Sequence, residues 1–83
     1  MNLVKNMHRL RAMNALIYEQ ITGTPIEFAK KIGVSRRQLY RLLELLISLE
    51  APVSYSRKMQ SFYYSKPYDF EMELKKLYDL KIL

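Results

Sequence analysis

The spacing of apolar residues along the chain changes character midway. From Leu3 to Ile21, the residues Leu3, Met7, Leu10, Met13, Leu16, Ile17 and Ile21 recur at steps of three and four, which is the signature of one helix face. Lys5, Arg9, Arg11 and Glu19 lie off that stripe. The pattern predicts a long first helix, with Gly23 of Thr22-Gly23-Thr24 as its stop. Ile26, Phe28, Ala29 and Ile32 then define the inner side of a short second helix, leaving Lys30 and Lys31 exposed. A small residue such as Ala29 suits a close crossing of two helices. A third helix from about Arg36 to Leu49 gathers Leu39, Leu42, Leu43, Leu46 and Ile47 on one side, at about 3.6 residues per turn. Arg37, Arg41, Glu44 and Ser48 fall opposite, flanked by Gln38 and Tyr40. Leu45 lies outside the buried arc and must be covered or belong to a contact surface.

The second and third helices each carry start signals. Thr24-Pro25-Ile26-Glu27 has an N-cap, a proline at the first helical position and a glutamate three residues after the cap. Ser35-Arg36-Arg37-Gln38 repeats the device with Ser and Gln. Gly33 stands between them, able to take the left-handed conformation that ends a helix. Residues 24–49 therefore read as a helix-turn-helix, and Ala51-Pro52 breaks the third helix.

From Val53 the period falls to two. Val53-Ser54-Tyr55 and Phe62-Tyr63-Tyr64 flank Ser56-Arg57-Lys58-Met59-Gln60-Ser61, a hairpin over residues 53–65 whose connection has no Gly, Asn or Asp. Alternation puts Tyr55, Phe62 and Tyr64 on one face, as core or edge cover, and Tyr63 on the other. Pro67 closes the hairpin. In segment 68–83, Tyr68, Phe70, Met72 and Leu74 alternate with Asp69, Glu71 and Glu73. We read it as extended through about Leu74 and then a short helix. The alternative is a helix capped by Asp69, with Phe70, Leu74, Leu77 and Tyr78 on one side. The whole chain, residues 1–83, is one domain.

Composition narrows the function classes. There is no cysteine and one histidine, His8, with no acidic or thiol neighbour in sequence. No Gly-rich phosphate loop and no carboxylate cluster is present, so we expect neither an enzyme nor a metal or other cofactor. No small-molecule ligand is evident. No apolar run approaches a membrane span, so no membrane partner is expected and a cytoplasmic location follows. The formal net charge of +6 is not evenly spread. Residues 30–66 carry eight basic side chains against Glu44 and Glu50, which accounts for the whole excess. A localised basic surplus on a small domain is a footprint for phosphate.

Three helices and a two-stranded hairpin make a winged helix-turn-helix, a mainly α architecture with a small β-hairpin (α+β) and a short C-terminal segment. In that arrangement the third helix enters the DNA major groove and the hairpin lies on backbone or minor groove. Ser35, Arg36, Arg37 and Gln38 occupy the start of the helix, where free N–H groups favour phosphate. Arg37, Gln38 and Arg41 are types that read base edges. Tyr40 can bond a phosphate, and Arg57 and Lys58 sit at the hairpin connection.

The stretch IGVSRRQLYRLLELLISLEAPVSYSRKMQSFYY closely resembles the winged helix-turn-helix of DeoR-like and WYL-associated bacterial transcription regulators. There a G-[VI]-S-x-R-T-[IL]-x-R-D-like segment precedes a Leu-rich helix, a Gly-containing turn and a wing ending in aromatics. The resemblance spans about Leu10 to Tyr64 and is most specific from Gly33 to Arg41. It implies that Ser35, Arg36, Arg37, Tyr40 and Arg41 face DNA. This chain departs at Leu42, where an acidic residue is common, and at Glu50-Ala51, which replaces a glycine exit. Its wing connection lacks glycine, and no ligand-sensing domain follows. The expected function is a small DNA-binding transcription regulator with double-stranded DNA as partner. Leu45, the first helix and the C-terminal segment are candidate homodimer surfaces. The alternative is a winged-helix protein–protein interaction adaptor without sequence-specific DNA binding.

Overall fold

Leu10, Met13 and Ile17, three and four residues apart, are completely buried and form the inner face of α1 (Met7–Tyr18). A computed structural model describes residues 6–82 of the chain; the expected helix start at Leu3 lies outside them. α2 (Pro25–Ile32) and α3 (Arg36–Ser48) follow, then strands β1 (Val53–Ser56) and β2 (Ser61–Tyr64) and helix α4 (Phe70–Ile82). Among the described residues the fold is thus α+β, four helices and one antiparallel hairpin, an order compatible with a winged-helix-like layout.

The core joins α1 and α2 to Leu39, Leu42, Leu43 and Leu46 of α3 and Phe62 of β2. α1 packs against β2 and α2, and α2 packs against α3. Ala29 is buried, as its size led us to expect. The Phe62 ring lies 5.5 Å from that of Phe28 and 4.8 Å, edge-on, from that of Tyr55. Each such pair adds about 0.5–1.5 kcal/mol beyond area burial. The hairpin register pairs Val53 with Tyr64 and Tyr55 with Phe62, so Tyr55, Phe62 and Tyr64 share a face and Tyr63 lies on the other, as the alternation implied. Leu45 is half-buried against the core.

Three expectations about the apolar pattern are corrected. Ile21, Ile26 and Ile47 are 55%, 51% and 54% exposed. Each lies at the margin of its stripe, and the core is already filled by neighbours one step closer to its centre. α1 does not run to Ile21 with Gly23 as its stop. Gln20 takes the left-handed position at φ 60. Ile21 N–H bonds Leu16 O and Gln20 N–H bonds Ile17 O, each at 3.0 Å, the paired bonds of a Schellman stop. The chain must leave the helix there because Thr22, fully buried, is fastened to β2 through Ser61 and Phe62.

The segment after the hairpin is helical from Phe70, not extended through Leu74. Asp69 Oδ1 accepts the Met72 N–H at 3.0 Å and caps α4. Phe70 is 2% exposed while Met72 is 52% exposed, a difference that a period of two would forbid and a helix requires. Glu71 accepts two bonds from the Arg11 guanidinium, at 2.8 and 3.2 Å, linking α4 to α1. Tyr68 O–H donates to Leu49 O at 2.7 Å, linking the approach to α4 with the end of α3.

Candidate functional site

The turn between α2 and α3 is built from the signals in its sequence. Gly33 sits at φ 72, with its N–H bonded to Lys30 O and the next N–H, of Val34, bonded to Ala29 O. Thr24 and Glu27 form a reciprocal capping box at the other end of α2. Glu27 N–H donates to Thr24 Oγ1, and the Thr24 N–H donates to Glu27 Oε1 at 2.9 Å. That backbone bond, more than any other influence, holds the Glu27 carboxyl below its usual pKa range. Gly23, at φ 75, makes room for the box: a Cβ there would lie 2.9 Å from Glu27 Cβ. α2 is therefore fixed at both ends before α3 begins.

Ser35 caps α3, its Oγ accepting the Gln38 N–H at 3.1 Å. Arg36, Arg37, Tyr40 and Arg41 are exposed along the first two turns, and Gln38 is half-buried. Arg57 and Lys58 are exposed in the four-residue connection between β1 and β2. Ser56 Oγ accepts the Met59 N–H there at 3.1 Å, and Gln60 takes φ 51 in place of the missing glycine. Glu50, at φ 69, does the same at the end of α3.

Tyr40, Glu44 and Ile47 of α3 face Val53, Ser54 and Tyr55 of β1 across a groove of about 240 Å³ floored by Leu43 and Phe62. The structure thus brings the outer edge of α3 and the first strand of the hairpin together, a juxtaposition that the linear sequence does not contain. On the other flank Arg41, Glu44, Leu45 and Ser48 border a shallow depression. Glu44 borders both and puts a carboxylate beside the basic turns. Sequence reading placed Glu44 opposite the core and gave it no role; its signal was the shared helix face with Arg37 and Arg41.

The ion pairs among the described residues are Arg11–Glu71 and Lys76–Glu73, both outside the basic stretch 30–66. Arg36, Arg37, Arg41, Arg57 and Lys58 have no carboxylate partner among the described residues. Among those residues, too, no group of three His, Asp or Glu side chains could hold a metal ion, and no helix is long and apolar enough to cross a membrane. Comparison with protein-family models, with curated proteins and with solved structures finds no match to this chain.

Proposed function

We propose that this chain is a small winged-helix DNA-binding protein acting in transcription regulation, with α3 as the helix that enters the major groove and the β1–β2 connection as a wing on backbone or minor groove. The observation that carries the reading is the unpaired basic surface. The two elements that such a fold lays on DNA carry Arg36, Arg37, Arg41, Arg57 and Lys58, exposed and, among the described residues, without carboxylate partners, while the ion pairs found there involve only α1 and α4. An ion pair would offset the field that attracts phosphate, so cations without one keep more of their pull, with Glu44 the carboxylate set beside them.

In this reading Ser35 and the free N–H groups of the first turn of α3 hold a phosphate. Arg37, Gln38 and Arg41 reach base edges, Arg toward guanine and Gln toward adenine. Tyr40 donates to the backbone, and Arg57 and Lys58 neutralise phosphates beyond the groove. The protein works by binding alone, with no catalytic step and no cofactor. A homodimer, which palindromic half-sites would need, is read from sedimentation of the free protein and of its complex.

The test is a fluorescence anisotropy titration of labelled duplex DNA at several salt concentrations. Binding that weakens linearly in log[salt] is expected, with a slope of about −0.9 for each phosphate neutralised. No binding at low salt overturns the reading. One observation favours a second reading, the protein–protein adaptor: the groove between α3 and β1 is largely apolar and is bordered by Ile47, 54% exposed.

A further inference from the structure

The end of α1 and the segment leaving β2 border an open cup of about 300 Å³. Tyr18, Tyr64 and Tyr68 line it, together with Gln20 and Lys66. The Tyr64 and Tyr68 rings stand 5.0 Å apart at an interplanar angle of 53°. Both of their hydroxyls are already engaged. Tyr64 O–H donates to Asn14 Oδ1 at 2.8 Å, and Tyr68 O–H donates to Leu49 O at 2.7 Å. Neither O–H is therefore free to donate to an occupant, and both side chains are held in place by these bonds. Tyr18 is 69% exposed and completes the wall from the last position of α1. Lys66 is the one formally charged residue lining the cup, and it has no carboxylate partner among the described residues. Gln20 holds the left-handed conformation at φ 60, where glycine would cost less, and so keeps an amide at this position.

We propose that this cup binds a planar aromatic anion, a ring system bearing one carboxylate or comparable acid group. A flat ring meets one tyrosine by its face and another by its edge, the geometry that aromatic pairs favour. The acid group is met by Lys66, with the Gln20 amide as a second donor. A cation would also be drawn to tyrosine faces; Glu50, Asp69 and Glu73 act on Tyr68 from outside the cup, but none of them lines it, and the charge that does, Lys66, repels a cation. The volume is at the lower end for small-molecule sites, enough for one or two fused rings. An exposed lysine contributes modestly, so the affinity is expected in the roughly millimolar range.

Occupancy of the cup does not depend on DNA binding, and its test is direct. The full chain, labelled with nitrogen-15, is titrated with 2-naphthoate, and amide shifts are followed by NMR. Saturable shifts confined to residues 18–20, 64–66 and 68 are expected. The neutral isostere 2-naphthamide should bind at least a few-fold more weakly, and the cation 2-naphthylmethylamine should produce no saturable shift. Lys66→Ala should erase the preference for the acid over the amide, and Tyr18→Ala should weaken both ligands. Tyr18 and Lys66 are exposed, so neither change cuts into the core, and an unchanged spectrum away from the cup checks this. Failure of naphthoate to saturate, equal binding of acid and amide, or an acid preference that survives Lys66→Ala would each overturn the proposal.

Discussion

Thr22 and Ser61 lie 39 positions apart and are hydrogen-bonded inside the core. Ser61 Oγ accepts the Thr22 N–H at 3.1 Å, and Thr22 Oγ1 accepts the N–H of the neighbouring Phe62 at 2.9 Å. The two hydroxyls are 3.2 Å apart. This pair fastens the loop between α1 and α2 to β2 and so sets where the hairpin stands relative to the helices. Thr22→Val keeps the shape but leaves the buried Phe62 N–H without an acceptor, and should cost about 1–3 kcal/mol. Ser61→Ala strands the Thr22 N–H at a similar cost. Urea unfolding of both single variants and the double variant should show clear non-additivity, because one network is broken once.

The two glycines should differ in sensitivity. Both hold a left-handed φ, 75 for Gly23 and 72 for Gly33. A Cβ on Gly33 meets nothing within 4 Å, whereas one on Gly23 collides with Glu27. Gly33→Ala should therefore cost only the conformational strain, about 1–2 kcal/mol. Gly23→Ala should cost more, because it also breaks the capping box of α2. Thermal melts of the two variants, compared with Glu27→Ala, separate these contributions.

If α3 reads DNA, Arg37→Ala and Arg41→Ala should each lose on the order of 1–3 kcal/mol at a read base and relax base preference. Arg57→Ala and Lys58→Ala should weaken binding about equally on all sequences. Each should flatten the salt slope by about 0.9, because one phosphate is no longer neutralised. A slope unchanged by both wing variants would show that the hairpin does not touch phosphate.

Glu44 borders the grooves on both flanks of the basic turns. Its carboxylate opposes phosphate, and it can also accept a hydrogen bond from cytosine. Glu44→Gln should tighten binding to random duplexes while reducing discrimination for any site with cytosine at the contacted position. Anisotropy competition with random and selected duplexes measures both. Unchanged binding to every duplex would remove Glu44 from the interface.

Alkaline pH should loosen the junction between α3 and α4. Burial pushes the Tyr68 phenol up from 10.0 to about 12, and burial also raises Tyr64. A phenol with a raised folded-state pKa holds its proton more tightly folded than unfolded. Its contribution is intact below about pH 10 and is lost as pH rises toward about 12. The urea midpoint should fall across that window. Tyr68→Phe should lower stability at neutral pH by about 1 kcal/mol, by losing the bond to Leu49 O, and should show a shallower alkaline fall.

Elements whose signals are local could be read directly from the chain. Thr24, Pro25 and Glu27 specify the start of α2, Gly33 its end, and Ser35 the start of α3, because caps and left-handed stops act within one turn of chain. The side of the hairpin carrying Phe62 was legible for the same reason, since strand alternation is a local rule. The eight candidate contact residues were legible as types and positions, seven of them exposed in the structure and Gln38 half-buried. Features that depend on partners distant in sequence emerged only once the chain was folded. α1 stops at Gln20 rather than Gly23 because Thr22 is held by Ser61. Residues 70–74 form a helix despite their alternation because Phe70 is drawn into the core with Leu74, one turn on, packed against it while Met72 is left out, and Asp69 caps the turn. The tyrosine cup and the groove between Tyr40 and Tyr55 join residues from separate elements, and no spacing along the chain encodes them.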